Sequence, residues 1–295
     1  MRHFKWDGKT CQAIFDSEGN LCALLIPGPV DSEWEHQVIN PATSGIAIAA
    51  ELLDFNTKNV KHRRGDFAAV AMGISHGGGQ TRPSVLHQTK RNRPILDTLL
   101  SSRPLRRLAG HIDTVVQAWA PRLHGYYSGL LNGLEEDDPQ LKRPIPGSAF
   151  AACTINFGPK TETLPHRDYG NLSWGWCTVT ALGNFNHELG GQLTAWDLNC
   201  MFDLPPGSTI ALQSALIHHS NISIAEGETR YSFAQYTAGS LFRWVDGGFK
   251  PTSATKQKEV EQGRWEKGLA MLSKMGELSI TSKSDAPNVL SNSNT

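Results

Sequence analysis

The chain of 295 residues has few cysteines and no long apolar run. Its five cysteines are odd in number and scattered, and none forms the C-x-x-C pair of a zinc or redox motif, which is typical of a reducing compartment. The longest apolar runs, such as 21–27, have the length of a strand, so no membrane span is predicted. The first residues, MRHFKWDGK, lack the apolar segment of a secretory signal. We therefore expect an intracellular protein, in the nucleus or cytoplasm.

The chain also has no net charge, since 28 basic residues balance 28 acidic ones. A hydrophobic fraction of 39% and a charged fraction of 19% are typical of a soluble globular protein. The charge is nevertheless uneven, because segment 58–107 holds eleven basic residues and only two acids. This segment indicates either a surface that binds a polyanion or a solvated face whose charges are paired with acids elsewhere in the fold. The sequence leaves both interpretations open.

Nucleotide-binding motifs are missing as well. The glycine-rich stretch 76–83 lacks the Gly-Lys-Ser/Thr of a phosphate-binding loop and the spacing of a dinucleotide fingerprint. Its three adjacent glycines predict a surface loop, or alternatively a loop that moves over an active site.

The first half of the chain predicts a mixture of strands and helices. A hairpin is expected from two apolar runs, 11–16 and 21–27, that flank a polar turn. Apolar residues at helical spacing predict helices at 44–55, 102–119 and 121–134, the second with Ser102 as its N-cap, and residues 67–74 predict a strand.

From Ala149 onward, short apolar runs alternate with Gly, Pro and Asn, which is typical of a sandwich or jelly roll. The expected strands lie near 150–157, 176–182, 192–197, 208–213, 215–222 and 230–238. We predict an α+β fold, a jelly roll (double-stranded β-helix) with flanking helices. In this prediction residues 1–250 form one domain, in which N-terminal strands and supporting helices (1–148) precede the jelly-roll core (149–250). A C-terminal helix at 251–276 and a disordered tail at 277–295 are expected to follow.

One stretch of this second half carries metal-ligating residue types at close spacing. His166 and Asp168 are separated by one residue, so both side chains project to the same side of an extended backbone. A third ligand would complete a facial triad of two histidines and a carboxylate, which leaves coordination positions open. His218 and His219 are the candidates, and because a strand alternates its faces only one of them can point at the metal. A surface turn is the alternative for an isolated His-x-Asp.

Arg230 follows His219 by eleven residues. A guanidinium binds a carboxylate in a bidentate manner, as an acidic co-substrate requires. An ordinary ion pair with Glu226 or Glu228 is the alternative.

The order His166-x-Asp168, His219, Arg230 resembles the iron(II)/2-oxoglutarate-dependent dioxygenases of the double-stranded β-helix fold. The segment from His219 to Arg230 is similar to the distal His-to-basic segment of prolyl 4-hydroxylases, and this resemblance favours His219 over His218. It implies that Fe(II) is bound by His166, Asp168 and His219, with 2-oxoglutarate and O₂ as co-substrates.

Finer features resemble the TET/J-binding-protein branch, including its compact fungal-type homologues. The TET motif His-Arg-Asp-x-x-Asn occurs here as residues 166–171 and ends at Asn171. The TET motif Arg-x-Ser-x-x-x-Tyr occurs as residues 230–236, with Arg230, Ser232 and Tyr236. The resemblance implies that Arg230 and Ser232 hold 2-oxoglutarate, that Asn171 contacts the target base and that Tyr236 stacks on it. Two departures stand out: Ala238 lies where TET enzymes have a base-contacting His, and the Cys-rich TET domain has no counterpart.

The resemblance implies hydroxylation of a C–H bond, in the TET branch the methyl group of a methylated DNA base such as 5-methylcytosine or N6-methyladenine. DNA demethylation would then involve DNA bound through segment 58–107, and neither a membrane nor an obligate protein partner is expected. Tyr169, Trp174 and Trp176 are candidates to line the mouth of the site, although core packing is expected for at least one of the Trp residues. Two alternatives remain, namely the same chemistry on a protein side chain or small metabolite, and a non-enzymatic jelly roll that acts as a binding module.

Overall fold

The computed structural model of the protein describes residues 1–250, 263–278 and 288–289. Residues 251–262 of the predicted C-terminal helix lie outside the described part, and so does most of the predicted tail; residues 263–269 are helical. No helix in the described ranges is long and apolar enough to cross a membrane.

The strands are β1 Arg2–Phe4, β2 Gln12–Phe15, β3 Leu21–Ile26, β4 Ala69–Ser75, β5 Ser84–Val85, β6 Ala152–Asn156, β7 Cys177–Asn184, β8 Leu193–Ala195, β9 Cys200–Phe202, β10 Thr209–Leu212, β11 His219–Asn221, β12 Thr229–Tyr236 and β13 Asn288–Val289. The helices are α1 Asn40–Leu52, α2 Thr57–Val60, α3 Asn92–Ser101, α4 Arg103–Trp119, α5 Pro121–Asp137 and α6 Gly239–Asp246.

Two sheets face each other and confirm the predicted α+β fold. The major sheet has nine strands in the order β13-β2-β3-β10-β7-β12-β6-β4-β5, and the minor sheet has four in the order β1-β9-β8-β11. The N-terminal strands extend both sheets, since β1 pairs with β9 and β3 pairs with β10. Strands distant in sequence therefore lie side by side in the same sheets.

The centre of the major sheet is buried on both faces, which explains its continuous apolar strands. On β10, Ile210 and Leu212 point between the sheets, whereas Ala211 belongs to the core under the helices. On β3 the same alternation places Leu25 between the sheets and Leu24 under the helices. The period-two side-chain pattern thus divides each strand between two apolar cores.

The helices cover the outer face of the major sheet. In α4, a stripe at helical spacing is buried in this core: Leu105, Leu108, Ala109, Ile112 and Val116. Ser102 does stand at the N-cap, but its side chain makes no capping hydrogen bond, so that part of the prediction was wrong. Pro104 in the first turn is compatible with the helix start because its missing N–H would have no partner there.

Two other boundaries differ from the predictions. Helix α1 begins at Asn40 rather than residue 44, because a π-helical segment at Glu35–Ile39 runs directly into it and Pro41 fits its first turn. The strand expected at 215–222 forms only at β11, because the amides of Leu216 and Ile217 both donate to the carbonyl of Gln213 in a turn.

The pairing of β7 with β12 depends on a close backbone approach at Gly183. This residue stands opposite Arg230 and has φ +120°, a conformation that favours glycine. A Cβ atom at this position would lie 2.2 Å from the carbonyl oxygen of Thr229. The absence of a side chain therefore allows β12 to approach β7 with Arg230 in register.

Replacing Gly183 by Ala is expected to lower the free energy of unfolding by about 1–3 kcal/mol, because the new Cβ meets backbone at a positive φ. Urea denaturation of the purified chain measures this change. Gly129→Ala is the control, since Gly129 lies in α5 and a Cβ there would have nothing within 4 Å, and it should add about 0.5–1 kcal/mol. Equal effects of the two substitutions would contradict this account of the strand pairing.

Candidate active site

A reciprocal backbone pair joins the two histidines of the predicted triad. The amide of His166 donates to the carbonyl of His219 at 3.0 Å, and the amide of His219 donates back at 2.9 Å. The amide of Asp168 donates to the carbonyl of Ser214 at 2.9 Å. These bonds fix the loop that carries His166 and Asp168 against the strand that carries His219.

The imidazole orientations leave one nitrogen of each ring facing the carboxylate. The Nδ1 atoms of His166 and His219 bond the carbonyls of Leu164 and Ile217 at 2.7 and 2.8 Å. The Nε2 atoms lie 3.9 Å from the two different oxygens of Asp168. Within the described residues, these three side chains are the group of His, Cys, Asp and Glu whose ligand atoms lie within 4.8 Å of one another. An Nδ1–H that donates to a carbonyl leaves Nε2 as a lone-pair donor for a metal.

Burial keeps both imidazoles neutral near physiological pH. It lowers the pKa of His166, an effect increased by the adjacent His219 ring, and it also lowers the pKa of His219. Since a proton and a metal compete for the same nitrogen, neutral rings suit metal binding. Two neutral nitrogens and one carboxylate are the donor set of mononuclear non-haem Fe(II) sites.

Arg167 and His218, which precede Asp168 and His219 in the sequence, both interact with Asp197. The carboxylate of Asp197 accepts a hydrogen bond from the backbone amide of His218 and pairs with Arg167 at 2.8 Å. Strand alternation left His218 and His219 as alternatives, and the structure places the His219 ring beside Asp168.

A cavity of about 300 Å³ extends from the triad along the inner face of β12. Four alternate residues of this strand line it: Arg230, Ser232, Ala234 and Tyr236. The residues between them, such as Phe233, pack under the helices instead. The strand therefore brings the sequence-predicted residues Arg230, Ser232 and Tyr236 into one cavity with the triad.

Arg230 is a buried cation without an acidic partner. Its side chain is 2% exposed, and it donates a hydrogen bond of 3.3 Å to an uncharged acceptor, the carbonyl of Thr161. Neither Glu226 nor Glu228 pairs with it in the described structure, and the Glu228 carboxylate accepts backbone amides instead. Burial lowers the pKa of Arg230 to about 10, which leaves it charged at neutral pH. A buried charge is costly unless it is paired, so this cavity fits a ligand with an anionic end.

Ser232 lies next to Arg230 on the cavity face, and a residue that the sequence analysis missed orients it. The side-chain amide of Asn156 on β6 donates to Ser232 Oγ at 2.7 Å. The hydroxyl hydrogen of Ser232 therefore remains available to a ligand. Thr154 and Asn156 are polar residues at alternate positions of an apolar strand, which is the signal that would have identified them.

Asn171 and Tyr236 lie where this cavity meets a second one of about 660 Å³. The side-chain amide nitrogen of Asn171 donates to Ser214 Oγ at 3.0 Å, so its carbonyl oxygen remains free to accept. The Tyr236 hydroxyl bonds Thr154 Oγ1 at 3.1 Å. Ala238 pairs with Asn171 in an isolated bridge, which places the departure from the TET pattern beside the candidate base contact.

The three aromatic residues expected at the mouth differ in position. Trp174 and Trp176 are both buried in the core under the helices, and Trp174 also borders the second cavity, packed edge-on against Trp265. Tyr169 is 76% exposed and borders the same cavity. Core packing thus accounts for Trp176.

Segment 58–107 does not behave as one unpaired basic patch. Arg91 and Arg107 pair with Asp54 and Asp31, acids from outside the segment, as the solvated-face interpretation requires. Arg63 and Arg64 instead line the candidate active site.

Known structures support the fold. No protein-family model and no curated protein matches the chain. A solved structure of NgTET1 in complex with 5mC DNA matches with a TM-score of 0.58 and 17% sequence identity, covering 88% of each chain. The chain shares the fold of NgTET1.

Two further structures match more distantly. An oxidoreductase of the 2OG-Fe(II) oxygenase family from Burkholderia pseudomallei has a TM-score of 0.39 and 16% identity, covering 75% of this chain and 85% of its own. OsALKBH1 has a TM-score of 0.41 and 10% identity, covering 73% and 96%. The similarity to NgTET1 confirms the predicted resemblance at the level of the fold.

Within this TET-type fold, replacing Arg230 by Met should leave the free energy of unfolding of the ligand-free protein unchanged or raise it by up to about 4 kcal/mol. The substitution removes a buried charge that lacks a counter-ion. Urea denaturation in a buffer without dicarboxylates measures this. Arg143→Met is the matched control, because Arg143 pairs with both oxygens of Glu135, and its loss should cost about 1–3 kcal/mol. A comparable loss for Arg230→Met would show that the described contacts already satisfy its charge.

Proposed function

We propose that the chain is an Fe(II)- and 2-oxoglutarate-dependent dioxygenase that hydroxylates the methyl group of a methylated DNA base, 5-methylcytosine or N6-methyladenine. The observation that carries the proposal is a single cavity lined by both His166–Asp168–His219 and the unpaired, buried Arg230. The first set supplies metal ligands, and the second residue supplies a counter-ion for an acid.

His166, Asp168 and His219 would hold the Fe(II). Both imidazoles present Nε2, and the carbonyls of Leu164 and Ile217 fix the ring orientations. When bound, iron with 2-oxoglutarate and O₂ supplies the oxidising power that converts a C–H bond to C–OH while the co-substrate becomes succinate and CO₂.

Arg230 and Ser232 bind the far carboxylate of 2-oxoglutarate in this proposal. The guanidinium offers a permanent charge, and the Ser232 hydroxyl donates because Asn156 already occupies its oxygen as a donor. Burial of Arg230 excludes water, which strengthens the ion pair relative to one on the surface.

Asn171 and Tyr236 place the substrate at the junction of the two cavities. A base inside a duplex cannot reach the triad, so it must leave the stack and be held by aromatic and polar groups. Asn171 presents a carbonyl oxygen that suits the exocyclic amine of cytosine or adenine, and the ring of Tyr236 offers a stacking surface. The 5mC DNA bound by NgTET1 supports DNA as the partner of this chain.

Asp168→Ala is expected to abolish Fe(II)-dependent release of succinate from 2-oxoglutarate, because two histidines alone hold Fe(II) weakly. Succinate is measured after aerobic incubation with both co-substrates. Asp54→Ala serves as the control, since Asp54 is an exposed carboxylate that pairs with Arg91, and this variant should retain parent activity. Retained succinate release by Asp168→Ala would overturn the triad assignment.

Tyr236→Ala is expected to reduce oxidation of methylated DNA more strongly than the release of succinate without DNA, because the ring contacts the substrate rather than the co-substrate. Mass spectrometry of nucleosides from DNA with 5-methylcytosine or N6-methyladenine measures the first quantity. Tyr236→Phe is the matched control, which keeps the stacking ring and loses only the bond to Thr154.

Equal losses in both assays would argue against a stacking role for Tyr236. Unchanged nucleosides together with strong succinate release by the parent protein would show that the substrate is a protein side chain or a metabolite.

A further inference from the structure

Two consecutive arginines occupy a tight turn beside the candidate active site. His62 and Gly65 exchange backbone hydrogen bonds of 3.0 and 3.3 Å, which leaves Arg63 and Arg64 as the two central residues of the turn. The His62 ring further bonds the carbonyl of Phe67 at 3.0 Å. The conformation of the turn is therefore fixed by contacts on both sides.

The turn is docked on the segment that carries the proposed metal ligands. The amide of Leu164 donates to the carbonyl of Arg64 at 2.8 Å. Gly65 has φ +144°, and a Cβ there would lie 2.6 Å from the carbonyl oxygen of Glu162, so the two backbones are in close contact. Arg63 adds an ion pair to Asp168 at 3.2 Å. Arg63 thus pairs with the proposed metal-binding carboxylate and lines the same cavity.

Arg64 points a second guanidinium into the cavity. Its side chain is half-buried and lines the cavity together with the triad. In residues 1–250, 263–278 and 288–289 its guanidinium has no hydrogen bond and no ion pair.

This position is unfavourable for a metal site unless an anion accompanies the metal. A positive charge beside the triad opposes binding of a divalent cation. The carboxylate of Asp168, which also lines the cavity, is itself paired with Arg63. Arg230 does not relieve the imbalance, because it is itself an unpaired cation of the same cavity.

We propose that Arg64 is a second anion-binding residue of the cavity, whose guanidinium binds a carboxylate or phosphate group next to the metal ligands. The proposal rests on the function proposed above. Two sources supply such a group, namely the keto-acid carboxylate of 2-oxoglutarate and a phosphate of the substrate DNA. Arg64 would then have a different role from Arg230, which binds the far carboxylate.

The test compares Arg64→Gln and Arg64→Lys with the parent and with Arg122→Gln, in which an exposed arginine outside segment 58–107 that pairs with Glu277 is changed. Calorimetry without oxygen measures the Kd of the Mn(II)-loaded full chain for 2-oxoglutarate, and fluorescence anisotropy measures its Kd for a methylated DNA duplex. Thermal unfolding verifies that each variant is folded.

Arg64→Gln is expected to raise one of the two Kd values by about tenfold to a hundredfold, the effect of losing a charge-assisted hydrogen bond. A change in 2-oxoglutarate binding identifies the carboxylate. A change in DNA binding, with a smaller salt dependence, identifies the phosphate. Arg64→Lys should recover part of the affinity that Arg64→Gln loses. Without 2-oxoglutarate, Arg64→Gln should bind Mn(II) at least as tightly as the parent.

Kd values of the Arg64→Gln variant within twofold of the parent for both ligands would overturn the proposal. If the parent protein binds no DNA, an unchanged Kd of the variant for 2-oxoglutarate would overturn it as well. If the parent binds no 2-oxoglutarate in the presence of Mn(II), the proposed dioxygenase function itself fails.

Discussion

The reciprocal backbone pair between His166 and His219 is the interaction on which the site depends. It joins residues 53 positions apart and ties the loop that carries Asp168 to the minor sheet. Backbone carbonyls two residues before each histidine then orient the rings so that both Nε2 atoms face the same carboxylate. Side chains in this arrangement are held before any ion binds, which reduces the conformational entropy that metal binding would cost.

A second constraint comes from charge inside an otherwise apolar sandwich. Arg230 and its neighbours on the inner face of β12 line the cavity. The turn at residues 62–65 adds Arg64 to the same lining. Neither guanidinium has an acidic partner among the described residues. Since an unpaired buried charge such as that of Arg230 destabilises a fold, its presence indicates a binding site rather than a stabilising core. The cavity is thus suited to an anionic ligand beside a cation.

Much of the fold followed from local patterns, because period-two alternation determines which face of a strand each residue occupies. That pattern predicted the later strands. Strand β11 is shorter than predicted and helix α3 was not predicted, because turn contacts and packing set those boundaries. His-x-Asp and the residues after His219 indicated the site. Strand alternation alone did not distinguish His218 from His219, and only the resemblance favoured His219. The position of Arg64 beside the triad depends on a turn that contacts residues about 100 positions later in the chain. Contacts of this kind have no signature in a single sequence.

The central claim is that one cavity binds Fe(II) and 2-oxoglutarate together. Anaerobic titration of the protein with both, followed by visible absorption, tests it most directly. A band that requires both additions, saturates at one equivalent of iron and disappears in His219→Ala is the predicted result. Absence of the band in the parent protein, or equal intensity in His219→Ala, would contradict the account.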